Sequence, residues 1–224
     1  KQLFRSSFQV ELEFEAGFLK DLAQRIRGSK LRKALIELAD ALNRLPIQAI
    51  RGNPAFTKLR LGGDIGAYGD YNPTLGIVRI DGKSFALAPK WAPGRLSHAY
   101  ETLMHEIGHA VHRAEDAYFA SWIDEMWNLP AERRGQLWNM EYYRIRTGHP
   151  KDINGMTGYG LVDPIEDFAE TWRLLYLEQS QITKAQIYEI EVKDDGTLVY
   201  KTPFRRFQLL RDLIAKKGWK VPKL

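Results

Sequence analysis

Two histidines stand four residues apart, at His105 and His109, and Glu106 directly follows the first. On a helix this spacing sets both imidazoles on one face, one turn apart, where they can reach a single metal ion. A carboxylate beside the first imidazole is placed to take a proton from a water attacking a substrate at that ion. The pattern His-Glu-x-x-His is the signature of zinc peptidase helices. Helical phase agrees: at about 100° per residue, Tyr100, Leu103, Met104, Ile107, Val111, Ala114 and Tyr118 gather on one face. His105, His109 and His112, three of the five histidines in the chain, gather roughly opposite. Ordinary core histidines belong on the apolar face, and an exposed polar face leaves this clustering without a reason. His112 reads more simply as a surface or cleft-wall residue than as a contact to substrate or to a ligand side chain. The extended metzincin pattern needs Gly where His112 stands and His where Glu115 stands, so neither position supplies its third histidine.

A catalytic zinc ion keeps three protein ligands and one open position. The chain has no cysteine, so a carboxylate is the expected third ligand. The best segment for it runs from Tyr159 to Glu170. There Glu166 and Glu170 lie one turn apart on the flank of a helix whose apolar face is Ile165, Phe168, Ala169, Trp172 and Tyr176. Glu166 can lean toward a neighbouring helix and complete the site. Asp163-x-x-Glu166 reads equally as a capping box, and Glu170 equally as an i, i+3 partner of Arg173. Spacing alone leaves these readings level.

The elements that must carry these residues indicate an α+β, mostly helical, zincin-like domain with a small antiparallel sheet. Residues 1–50 are expected to form an N-terminal helical segment packed on a catalytic domain of residues 51–224. Two helices are expected over about 17–45, broken at Gly28-Ser29 and ended by Pro46. Leu59–Leu61 and Gly76–Ile80 read as strands separated by turn residues, and the second of these is a candidate sheet edge. The long helix with His105 runs from about Ser97 past Arg113, with helical sequence continuing to Trp127 and a further candidate over 131–146. Residues 147–160 read as loop, and Asp163-Pro164 as the N-cap and first turn of a helix to about Leu177. Ile187–Val192 and Thr197–Tyr200 flank Asp194-Asp195-Gly196 as a hairpin, and a last helix spans about Pro203–Lys217. Tyr68, Tyr71 and Trp91 are candidates for a cleft lining, and equally for core.

Composition excludes several classes. Hydrophobic residues make up 44% and charged residues 27% of 224 positions, as in an ordinary globular chain. No apolar run is long enough to span a bilayer. The absence of cysteine removes disulfide frameworks and thiolate chemistry. The net charge of +5 comes from residues 201–224, which carry eight Lys/Arg and one Asp, leaving −2 on the rest. No nucleic-acid-binding motif accompanies it, so no nucleic-acid partner is expected, and a solvated helix face explains it best. A basic patch for an acidic partner, on a non-catalytic module with a zinc ion in a structural role, is the alternative.

Taken together, His105-Glu106-x-Gly108-His109-Ala110-Val111, Tyr159-Gly160 and Glu166-x-Phe168-Ala169-Glu170 resemble the catalytic domain of anthrax lethal factor and the related Pro-Pro endopeptidases, which are gluzincin-type zinc peptidases. The likeness covers roughly residues 55–217. It extends weakly to Ile65-Gly66-Ala67-Tyr68, the strand after Gly76, and Thr202-Pro203-Phe204. It implies one catalytic zinc ion held by His105, His109 and Glu166, with Glu106 as general base. It also implies Tyr159 as hydrogen-bond donor to the oxyanion and Glu170 as a group steering a ligand histidine. A secreted protease or toxin-type effector acting on an extended peptide substrate goes with that resemblance. His112 and the 187–200 hairpin depart from it.

Overall fold

The computed structural model of the protein describes residues 1–18, 20, 28–63, 65–85, 98–128, 149–150, 154, 157–160, 163–177, 184 and 186–222. The fold is α+β, and the chain divides into two compact units, residues 1–114 and 115–224.

The first unit is built on a four-stranded sheet of β1 (Glu11–Phe14), β2 (Lys58–Leu61), β3 (Gly69–Asn72) and β4 (Ile77–Ile80), in the order β1-β2-β4-β3. β1 and β4 both run parallel to β2, and only β3 is antiparallel to its neighbour. The small sheet beside helices is therefore mixed in direction. β4, expected as a sheet edge, lies inside the sheet, and β3 is the outer strand. Alternation along β2 sends Leu59 and Leu61 into the core. Lys58 and Arg60 on the other face pair with Glu13 of β1 at 2.6 and 2.9 Å. Between β3 and β4, the Asn72 carboxamide oxygen accepts from the amides of Thr74 and Leu75, and Gly76 takes a left-handed φ of 63°.

Two helices accompany this sheet in the first unit. α1 (Gly28–Arg44) buries Ala34, Leu38, Ala41 and Leu42 and stops just before Pro46. Gly28 and Ser29, expected to break the pair of helices, are the first two residues of α1. The helix expected over 17–27 falls mostly outside the described residues. α2 (His98–Ala114) packs against α1, β3 and β4. The N-terminal segment, expected as helical, contains a five-residue π-helix (Phe4–Phe8) and adds β1 to the sheet.

The second unit is a cluster of α3 (Asp116–Met126), α4 (Pro164–Tyr176) and α5 (Arg205–Lys216) around Trp122, Phe168, Trp172, Phe207 and Leu210. Trp122 and Phe168 meet edge to face with ring centroids 5.4 Å apart. β5 (Trp127–Asn128) pairs with β6 (His149–Pro150). Trp127, expected as the end of helical sequence, is extended, and His149–Pro150 falls in the stretch expected as loop. The expected hairpin is present as β7 (Tyr188–Val192) and β8 (Leu198–Pro203). Its turn uses Gly196 at φ 80°, and Asp195 accepts from the Thr197 amide at 2.8 Å. The helix expected over 131–146 lies outside the described residues. Among the described residues no helix is long and apolar enough to cross a membrane.

Candidate metal centre

α2 is apolar on the side that holds Leu103, Met104, Ile107 and Val111, all fully buried. Unlike a surface helix, it buries its other side as well: His105, Glu106 and His109 are each 6% exposed. The i, i+4 spacing brings the Nε2 atoms of His105 and His109 to 3.1 Å, with the rings at 88° to each other. Two nitrogens bound to one tetrahedral zinc ion at ~2.05 Å stand about 3.3 Å apart. The pair is thus close to the separation a shared ion requires. Tyr71, on β3, lies along the His109 ring at 16° with centroids 6.4 Å apart. Burial pushes its phenol up to about 12, against the opposing charge of Arg113.

Gly69, two residues earlier on β3, faces the same helix. A Cβ at Gly69 would stand 3.1 Å from Oε1 of Glu106. The sheet therefore approaches the carboxylate as closely as a side-chain-free residue permits. His112, expected at a surface or cleft wall, is completely buried. It meets the His109 ring at 6.2 Å and 72°.

α4 opens as its sequence indicates. The Asp163 carboxylate accepts from the amides of Ile165 and Glu166 at 2.8 and 2.9 Å, and Pro164 fills the first position. Glu166 is 8% exposed. His105, His109 and Glu166 form a buried group whose ligand atoms all lie within 4.8 Å of one another, and this group could hold a metal ion. Its donor set of two imidazoles and one carboxylate suits a divalent ion such as zinc, whose charge would offset that of a buried carboxylate. Glu170 receives both Nε and Nη2 of Arg173, at 2.9 and 2.8 Å, the i, i+3 pairing.

Tyr159 occupies a turn of residues 158–160 and is 56% exposed. The Gly160 amide donates to Thr157 Oγ1 at 3.0 Å in that turn. Tyr68 is also exposed and stacks on His98, centroids 5.1 Å apart. Trp91 lies outside the described residues.

Asp167 and Arg206, neither of them a candidate from the sequence, are both buried and paired through Asp167 Oδ1 and Arg206 Nη1. Trp127 Nε1 donates to Asp167 Oδ2 at 2.9 Å. Burial pushes the Asp167 carboxyl up to about 6 against the pull of the guanidinium. A signal for Arg206 exists in the sequence, since it falls in helical phase with Leu209, Leu210 and Leu213. A basic residue inside an apolar stripe calls for a buried acid.

No protein-family model, no curated protein and no solved structure matches this chain.

Proposed function

We propose that the chain is a zinc-dependent endopeptidase of the lethal-factor-like, gluzincin type. The observation that carries this reading is the buried group of His105, His109 and Glu166, with Glu106 on the same helical turn as the two histidines. A zinc ion held by the three side chains would supply Lewis acidity, drawing the pKa of water toward ~7 and polarising a carbonyl. Glu106 accepts the proton of the attacking water and passes it to the leaving amine. Tyr159 donates its phenolic hydrogen to the carbonyl oxygen as negative charge develops there. Glu170, oriented by Arg173, steers a ligand imidazole through its second ring nitrogen. The peptide substrate lies extended along β3, the outer strand next to α2, and adds main-chain hydrogen bonds to the sheet.

The binding-module alternative draws on the basic residues after 200, but four of those eight are already paired. Lys201, Arg205, Arg206 and Lys217 meet Glu191, Glu125, Asp167 and Glu115 respectively.

The test is elemental analysis of the purified protein together with cleavage of a peptide library, with Glu106→Ala as control. One equivalent of zinc in both proteins, with cleavage by the wild type alone, is the expected result, and the library then reads out any Pro-Pro preference. No zinc after reconstitution overturns the proposal.

A further inference from the structure

Asp167 follows Glu166 directly, and successive side chains on a helix point about 100° apart. The direction of Glu166 is therefore tied to what holds Asp167. Both Asp167 oxygens are held: Oδ1 by Arg206 Nη1, and Oδ2 by Trp127 Nε1 at 2.9 Å. α4 cannot turn about its axis without breaking these bonds. The same guanidinium donates through Nε to the backbone oxygen of Asn154 at 2.8 Å. Asn154 precedes the turn that carries Tyr159. That turn is seated on α4 at Asp167, because a Cβ on Gly160 would lie 3.4 Å from the Asp167 Cα. One side chain from α5 thus grips both the helix that bears Glu166 and the chain that leads to Tyr159.

A buried ion pair is weak grounds for stability, because well-packed apolar residues of similar volume often replace one without loss. What apolar side chains cannot reproduce is direction. The planar fork of an arginine sets the angle between two acceptors, which neither lysine nor methionine can do.

We propose that Arg206 is a positioning residue for the metallopeptidase centre, setting Glu166 and Tyr159 in register through Asp167 and the Asn154 carbonyl. This role rests on the reading of the site as a zinc peptidase.

The experiment compares wild type with the double variant Asp167→Leu/Arg206→Met, in which both charges are removed together. Zinc affinity is measured by competition with a chelator, melting temperature on the metal-free protein, and kcat and KM on a peptide cleaved by the wild type. The expected variant melts cooperatively, near the wild-type temperature. It binds zinc roughly ten- to hundredfold more weakly, and its kcat falls while KM holds. Placed in a Glu166→Ala background, the two substitutions should cause no further loss of zinc affinity, because their effect passes through Glu166. A folded double variant with wild-type zinc affinity and kcat overturns the role of Arg206 and leaves the peptidase reading standing. An equal loss on top of Glu166→Ala also overturns it. A wild-type protein that takes no zinc removes both. Should the double variant fail to fold, Arg206→Lys is read by the same criteria, and wild-type zinc affinity there overturns the role.

Discussion

Gly69 on the outer strand and Glu106 on the histidine helix stand so close that a Cβ on the glycine would lie 3.1 Å from the Glu106 carboxylate oxygen and collide with Thr102 Cγ2. Gly69 has no left-handed backbone angle, so its glycine is required for space and not for conformation. Gly69→Ala is therefore expected to push Glu106 out of line. A displacement of about 1 Å at a reacting group can cost about 10² in rate. We expect that order of loss in kcat/KM with zinc content unchanged. Adding Thr102→Ala, which removes the colliding methyl, should restore part of it. Full activity in Gly69→Ala would show that Glu106 has slack.

Glu166 is tested by zinc itself. Glu166→Ala should weaken zinc binding sharply, as judged by chelator competition, and unchanged affinity would leave Glu166 with only a helix-terminal role. Asp163→Ala separates the two functions of this turn. Losing an N-cap that accepts from two amides costs about 1 kcal/mol, so the melting temperature should fall while zinc remains bound.

Tyr159 is exposed on its turn, so removing its hydroxyl should leave the fold intact. Removing one oxyanion donor typically costs about 10²–10³ in turnover. Tyr159→Phe should keep its zinc and its melting temperature and lose activity by that factor. A fully active Tyr159→Phe ends its assignment as the oxyanion donor.

Glu37 on α1 offers a pH test away from the site. Burial raises its carboxyl from 4.5 to about 7, partly opposed by Lys33. Below pH 4.5 it is protonated in both folded and unfolded chains and has no effect on stability. Between 4.5 and about 7 the folded chain binds the extra proton, so stability falls as pH rises through this window. Above it, wild type carries the full cost of a partly buried carboxylate. Glu37→Gln should match wild type in thermal melts below pH 4.5 and melt at a higher temperature at pH 8. Equal melting temperatures at both ends would mean that the carboxylate is fully solvated.

Local features were legible in the chain itself. The helix carrying both histidines follows from His105-Glu106-x-x-His109, since an i, i+4 spacing on one face is a property of a single element. The start of α4 follows from Asp163-Pro164 and the β7–β8 turn from Asp194-Asp195-Gly196, because capping and tight turns depend on residues next to each other. β1 also left a trace, the alternation of Val10, Leu12 and Phe14 with Glu11 and Glu13. Its parallel pairing with β2 did not, because partners far apart in sequence are joined only when a crossover returns the chain. Gly28-Ser29 reads as a break from propensity, worth ~1 kcal/mol for the glycine. α1 begins at this pair and runs on to the apolar stripe of Leu38 and Leu42, whose burial outweighs the cost of a glycine in its first turn.

By itself, the sequence determined that His105, Glu106 and His109 share one helix with the chemistry and spacing for a metal site, and left Glu166 level between ligand and capping roles. The tertiary structure alone decided that β3, not β4, is the outer strand and that His112 is buried. It also decided that Arg206 turns inward to Asp167. The reason is physical: spacing along one helix is set by covalent geometry and local hydrogen bonds. Which faces meet, and which charges are buried together, is set by packing between segments that the chain places far apart.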